Sequence, residues 1–150
     1  YILQRIPHGH ILRQNLTIHR KLIERIRQGQ TSVLSPLVAR GQTISTYDIV
    51  CAATRNEDPL CIELIEQTGA ELGRQLANLI NIFNPEAVII GGVLALADEY
   101  FIPPIRLAIR KYSLKLMCKD IEVLVSANPQ KAGMIGACMV ARQSFFPQRR

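Results

Sequence analysis

Apolar residues recur at the spacing of an amphipathic helix over several parts of the chain. The first such stretch runs from Leu16 to Gln28, and Gly29 ends it. Residues 29–44 lose the pattern, apart from a short turn of helix that we predict at residues 35–39. The spacing therefore predicts a first helix followed by a connecting stretch.

A second, short helix is predicted by its cap as well as by its spacing. Ser45 or Thr46 is a candidate N-cap, because both side chains can accept a hydrogen bond from a free backbone N–H group of the first turn. Asp48 follows in that turn, where a negative charge is favourable. We expect this helix to continue through Cys51 and Ala53.

The strongest helix start in the chain is Asp58-Pro59, a capping acid followed by proline at the first helical position. The apolar spacing continues from there until Asn84-Pro85, where proline disfavours helix in the residue before it. The sequence therefore predicts one long helix between these two signals.

Downstream, the pattern changes to that of an α/β fold. The run "AVIIGG" (residues 87–92) predicts a buried strand, and "IEVLVSA" (residues 121–127) predicts a second. A helix from about Asp98 to Tyr112 lies between them, with Pro103 and Pro104 in its first turn or at a kink. This order favours parallel neighbouring strands with a helical crossover. A small-residue-rich closing helix is predicted after Asn128-Pro129. Two strands make only part of a sheet, so we expect a fragment of a larger fold.

Two pairs of glycines are open to a structural and a functional interpretation. Gly69 and Gly73 lie four residues apart in the long helix, which favours close packing against another element over the approach of a ligand. Gly91 and Gly92 follow the first strand. They can form the turn with positive φ that enters the next helix, or they can present backbone N–H groups to a ligand.

Composition narrows the class of protein. The 150 residues are 48% hydrophobic and 20% charged, which is typical of one globular domain or part of one. No apolar run approaches the roughly 18 residues of a membrane span. Because the chain begins at Tyr1, we expect a piece of a longer protein. The four cysteines (Cys51, Cys61, Cys118 and Cys138) stand among apolar neighbours, so we predict buried thiols and a reducing, cytoplasmic location.

Charge and histidine give weaker signals. Residues 1–27 hold six basic residues and one acid within a net charge of +6, which favours a solvated helix face over a nucleic-acid contact. His8 and His10 lie two apart in a predicted loop or strand and could bind a metal only with further ligands. His19 is expected on a helix surface. The sequence contains no phosphate-binding loop of the GxxxxGK[ST] type, no HExxH and no GxSxG.

The segment from Asp48 to Gly92 resembles the C-terminal half of the ROK family of repressors, open reading frames and sugar kinases. The matching pattern is a "D-P" helix start followed by "G..LG..LAN.IN..NPE.V.IGG". It is carried by Asp58-Pro59, Gly69, Leu72-Gly73, Leu76-Ala77-Asn78, Ile80-Asn81, Asn84-Pro85-Glu86 and Ile90-Gly91-Gly92. The closing "AGMIGACMVA" is similar to the last family helix, and "RKYSLKLMCKDIEVLVSA" is most similar to the repressor branch.

The resemblance implies part of an actin-like ATPase lobe (ribonuclease H-like), with long helices packed on a small sheet. We expect a basic helix and connecting segment at residues 1–44 and a C-terminal lobe at residues 45–150. Family kinases bind ATP in a cleft beside the positions of Gly91 and Gly92. Val93 stands where a third glycine is common, and should narrow the space for a nucleotide. The stretch "IPHGHI" is faintly similar to the sugar and zinc side of the family, which makes His10 a candidate there.

The functions implied are two. The first is the sugar-sensing and dimerising domain of a transcriptional repressor, which would bind a sugar or sugar phosphate and would reach DNA only through an N-terminal domain absent from this chain. The alternative is the C-terminal lobe of an ATP-dependent sugar kinase. No catalytic residue is expected here. Zinc or ATP would be held only by a longer protein.

Overall fold

The structure is a computed structural model that describes residues 8–114, 121–129, 131 and 133–138, with side chains from residue 17 onward. Five α-helices, one 3₁₀ turn and two strands make up its assigned elements. They are α1 (His8–Arg27), α2 (Ser35–Ala39), α3 (Thr46–Asn56), α4 (Pro59–Phe83), β1 (Ala87–Ile90), the 3₁₀ turn (Val93–Leu96), α5 (Asp98–Tyr112) and β2 (Glu122–Val125). Residues 133–138 are also helical. The predicted order of elements is confirmed.

The helix ends follow from local chemistry. Of the two predicted N-cap candidates it is Ser45 that caps α3, through a reciprocal capping box with Asp48. Asp58 caps α4 by accepting hydrogen bonds from the backbone N–H groups of Leu60 and Cys61. Asn84 ends α4 in the left-handed conformation, with φ of 42°. Because each signal is local, both ends of α4 fall where they were predicted.

The start of α1 and the setting of the HGH motif were predicted wrongly. We expected His8 and His10 in a loop or strand and a helix from Leu16, whereas α1 already begins at His8. No proline lies between His10 and Leu16 to interrupt a helix. Gly9 is tolerated in a helix at a cost of about 1 kcal/mol. The helix therefore extends two turns upstream of the apolar pattern. Pro103 and Pro104 lie inside α5, so the first-turn alternative was wrong and the predicted kink stays a prediction.

β1 and β2 form a two-stranded parallel sheet, as predicted, with Ala87 opposite Glu122 and Ile90 opposite Val125. The expectation that β1 is a buried strand was wrong. Ile90 is buried, but Ile89 is 52% exposed and Leu124, opposite it on β2, is 45% exposed. Within the described residues only one face of the sheet is covered by the core, so alternate residues of each strand face outward.

Helices α4 and α5 pack closely against each other at two glycines. A Cβ atom on Gly69 would lie 2.7 Å from the carbonyl oxygen of Phe101, and one on Gly73 would lie 2.6 Å from that of Ile105. The prediction that these glycines serve close packing is confirmed, and the neighbour is a helix. Ile80 and Ile105 belong to one buried core that also contains residues of α1, α3 and β1.

Two other expectations meet the structure in part. Cys61 is buried and Cys51 is half-buried, but Cys138 is exposed, because nothing among the described residues packs over the helix at 133–138. Cys118 lies outside the described residues. The domain boundary between residues 44 and 45 stays a prediction. In the part of the chain that the structure describes, none of the helices is long and apolar enough to cross a bilayer.

Candidate functional site at the glycine turn

The glycine pair forms the turn that leads from β1 into α5. Gly92 has φ of 97° and ψ of 172°, a backbone conformation that residues with a Cβ atom rarely adopt. The 3₁₀ turn follows at once, and Ala97 then leads into α5. Glycine at residue 92 is therefore required by the backbone itself.

The backbone of this turn is bonded to the loop that follows β2. The N–H group of Gly92 donates a hydrogen bond of 2.7 Å to the carbonyl oxygen of Pro129. One step earlier, the N–H group of Ser126 donates to the carbonyl oxygen of Ile90 at 2.9 Å. The Gly92 N–H group thus already has an acceptor inside the protein.

The two neighbours of Gly92 have different environments. Gly91 is exposed, whereas Val93 is half-buried and packs against the core. Neither observation tests a contact with a ligand, so the inherited nucleotide-cleft role of Gly91 and Gly92 stays a prediction. The narrowing of that space by Val93 also stays a prediction.

An open cleft of about 530 Å³ adjoins the turn on the side of α3 and α5. Its lining carries two carboxylates, one guanidinium, one hydroxyl and three apolar side chains, from Asp98, Glu99, Arg106, Thr54, Leu96, Ile102 and Pro103. The guanidinium of Arg106 donates a hydrogen bond of 3.0 Å to the backbone carbonyl oxygen of Val123. The hydroxyl of Thr54 donates one of 2.9 Å to the backbone carbonyl oxygen of Val50. The lining therefore offers two negative charges and one positive charge, since Arg106 keeps its charge when it donates to a neutral carbonyl.

The second predicted position, His10, lies in α1, apart from the segments that form the glycine turn. Its side chain is outside the described part of the structure, so its proposed role toward a sugar or zinc stays a prediction. Among the described side chains, no group of three histidine, cysteine or acidic residues is close enough to hold a metal ion. The described residues therefore do not make a zinc site.

Sequence reasoning missed one buried polar cluster, around Asp58. Beyond its capping bonds, the Asp58 carboxylate accepts hydrogen bonds of 2.7 Å from the hydroxyl of Ser32 and from the N–H group of Val33. Burial acts to raise the pKa of Asp58, but the hydrogen bonds from Ser32, Cys61, Val33 and Leu60 outweigh it and hold the pKa below 3.8. The cluster ties the loop before α2 to the start of α4. Its sequence signal is weak because Ser32 and Asp58 are 26 residues apart.

The model of the ROK family matches residues 19–144. The chain belongs to the ROK family. It is 30% identical over 132 residues to the DNA-binding transcriptional dual regulator NagC of Escherichia coli, across 88% of this chain and 31% of NagC. It is 33% identical over 116 residues to the E. coli transcriptional repressor Mlc, across 77% of this chain and 27% of Mlc. A glucokinase of Thermotoga maritima is 29% identical over 84% of this chain and 39% of that enzyme.

Solved structures agree on the fold. A ROK family transcriptional regulator, a homologue of E. coli Mlc, superposes with a TM-score of 0.68 at 35% identity, over 74% of this chain and 27% of the regulator. A sugar kinase structure from Cytophaga hutchinsonii has a TM-score of 0.67 at 20% identity, over 85% of this chain and 40% of that chain. The predicted α/β, actin-like ATPase fold is confirmed. The chain spans about a third of the length of the curated repressors that it matches.

Proposed function

We propose that the chain is the sugar-sensing and dimerising part of a cytoplasmic ROK family transcriptional repressor. Its identity to the two regulators and to the Mlc homologue is 30–35%, compared with 29% and 20% for the glucokinase and the sugar kinase structure. These small differences support the repressor branch. Specific DNA recognition and the choice of operator would then belong to other parts of the protein.

The observation that carries this proposal is the bonding and charge around the glycine turn. A triphosphate needs free N–H donors and positive charge. Here the Gly92 N–H group is bonded to Pro129, and the adjoining cleft carries two carboxylates against the single guanidinium of Arg106. Kinases also use carboxylates to hold magnesium, so the acids are compatible with either function, and it is the occupied Gly92 N–H group that favours sensing over catalysis.

The test is a pair of measurements on the purified chain. A thermal-shift panel of N-acetylglucosamine, N-acetylmannosamine, glucose, xylose and magnesium ATP should show a rise in melting temperature with a sugar and none with ATP, because a ligand stabilises the folded state that it binds. Coupled detection of ADP with each sugar should show no turnover. A sugar-dependent release of ADP would overturn the proposal, as would a panel in which no sugar changes the melting temperature.

The sugar kinase remains the second candidate, because a cleft lined by α3, α5 and Leu96 of the 3₁₀ turn lies close in sequence to Gly91 and Gly92. Self-association belongs to the first candidate and is supported by the outward-facing apolar residues Ile89 and Leu124 of the sheet. Sedimentation equilibrium should give a mass of twice the 16.8 kDa chain. A monomer at all concentrations would contradict the dimerising role.

A further inference from the structure

One edge of strand β2 has no neighbouring strand among the described residues, in which β2 pairs with β1 alone. On the side of β1, the N–H group of Glu122 donates a hydrogen bond of 3.2 Å to the carbonyl oxygen of Glu86. The backbone N–H and C=O groups of successive strand residues point to alternate sides of the strand. Those of Val123 and Val125 therefore point to the side opposite β1, here called the β2 edge.

A side chain of α5 already occupies the β2 edge. A guanidinium nitrogen of Arg106 donates a hydrogen bond of 3.0 Å to the carbonyl oxygen of Val123. A backbone nitrogen of an added strand would lie at that same distance, about 2.9–3.0 Å, from the oxygen. An added strand must therefore displace the Arg106 side chain before it can pair with β2.

Apart from this side chain, β2 has the composition of a strand that pairs readily. Its four residues, Glu122–Val125, include two valines, which favour strands, and Leu124 is 45% exposed on the outer face. An unpaired edge of this kind is a template for pairing with another chain. A charged side chain at the edge opposes such pairing, because its burial between two strands costs free energy.

We propose that Arg106 protects the β2 edge and prevents two copies of the chain from joining there into one continuous sheet. A second copy is the partner to exclude, because the same edge on two molecules can be self-complementary about a two-fold axis. The contact proposed above through Ile89 and Leu124 stays available, since those side chains point out of the face of the sheet rather than along its edge. A bond that only tied α5 to β2 would add stability without changing the oligomeric state.

Sedimentation equilibrium of the 150-residue chain tests this proposal by comparing Arg106→Ala with the parent chain at equal concentrations. Alanine keeps the helix, since it has the highest helix propensity, but it leaves the Val123 carbonyl oxygen open to a second copy. The weight-average mass should rise about twofold over that of the parent, and should rise further with concentration. An equal mass for the two chains would overturn the proposal. Because the parent is the reference, the result does not depend on whether the parent is itself a dimer.

Two further variants separate the β2 edge from general effects of charge. Arg110→Ala removes the same charge from an exposed position one turn further along α5, and its mass should equal that of the parent. Arg106→Ala/Val125→Pro also lacks the Val125 N–H group, which an added strand needs and which does not bond to β1, so its mass should return to that of the parent. Association of the Arg110 variant, or association that persists with proline, would overturn the proposal. Circular dichroism spectra of all variants verify that the fold is retained.

Discussion

A single methyl group at Gly73 should force α4 away from α5. The added Cβ atom in Gly73→Ala would lie 2.6 Å from the carbonyl oxygen and 2.9 Å from the Cα atom of Ile105, and 2.7 Å from the Cβ atom of Ala108. Real Cβ atoms essentially never come closer than 3.0 Å to another heavy atom. Two of the three atoms are backbone, so relief requires a shift of a whole helix by up to about 0.8 Å, the distance from 2.6 Å to ordinary contact at 3.4 Å.

Two opposing energies decide the sign of this change. Alanine gains about 1 kcal/mol over glycine in a helix interior. Overpacking a rigid contact costs about 1–3 kcal/mol and more where backbone must move. Because two of the three close atoms are backbone, we expect the upper end of that range and a net loss of about 2 kcal/mol in the free energy of unfolding.

Urea denaturation followed by circular dichroism at 222 nm measures this loss. With a slope of about 2 kcal/mol per M, the midpoint should fall by about 1 M. Gly136→Ala is the matched control, because a Cβ atom there would meet nothing within 4 Å, and its midpoint should not fall. A midpoint for Gly73→Ala equal to that of the parent chain would refute the reasoning.

Two further predictions concern the polar cluster at the start of α4. Asp58→Asn should destabilise the chain at neutral pH by about 1–3 kcal/mol, since it weakens hydrogen bonds to a buried carboxylate. Because the folded pKa of Asp58 is below 3.8, its contribution is full above that pH and is lost as the pH falls through the folded pKa. In the Asp58→Asn variant the free energy of unfolding should therefore depend less on pH below about pH 4 than in the parent chain. Urea midpoints measured between pH 2 and pH 7 would show this difference. The same loss of stability at acid pH in both chains would contradict the prediction. Burial first, and then the charge of Asp58, raise the pKa of Cys61 to about 12, so Cys61 should react with a thiol reagent at pH 8 far more slowly than exposed Cys138. Mass mapping of early adducts would test this order, and early labelling of Cys61 would contradict it.

The parts of the fold that were predictable depend on neighbouring residues. Asp58-Pro59 supplies an N-cap and a suitable first helical residue, and Asn84 adopts the left-handed conformation that ends α4. These interactions form within a few residues, so the sequence alone contains them. α5 also begins at Asp98 and ends at Tyr112 as predicted, although no side chain caps its first turn.

The missed features depend on residues that are distant in sequence. The sequence predicts a buried Ile89, because a run of four apolar residues is typical of a strand covered on both faces. The exposure of Ile89 depends instead on whether another element covers its face of the sheet. The bond from Gly92 to Pro129 joins residues 37 positions apart, and the pairing of β1 with β2 creates it. The spacing of apolar residues contains no information on the exposure of Ile89 or on the bond of Gly92. The position of the turn could therefore be predicted from the sequence, but its hydrogen bond to Pro129 could not.

The bonding of Gly92 changes what a pair of glycines after a strand implies. Its φ of 97° is needed to turn the chain from β1 into the 3₁₀ turn, and its N–H group joins the two loops at the same edge of the sheet. Both roles exist without a nucleotide, so glycine at this position is explained in a sensor as fully as in a kinase. The cleft adds chemistry that suits the proposed sensing role. Carboxylates are good acceptors for the hydroxyl groups of a sugar, and Asp98 and Glu99 both face the cleft. If the chain senses a sugar as proposed, replacing both acids by their amides should lower the rise in melting temperature that the sugar produces.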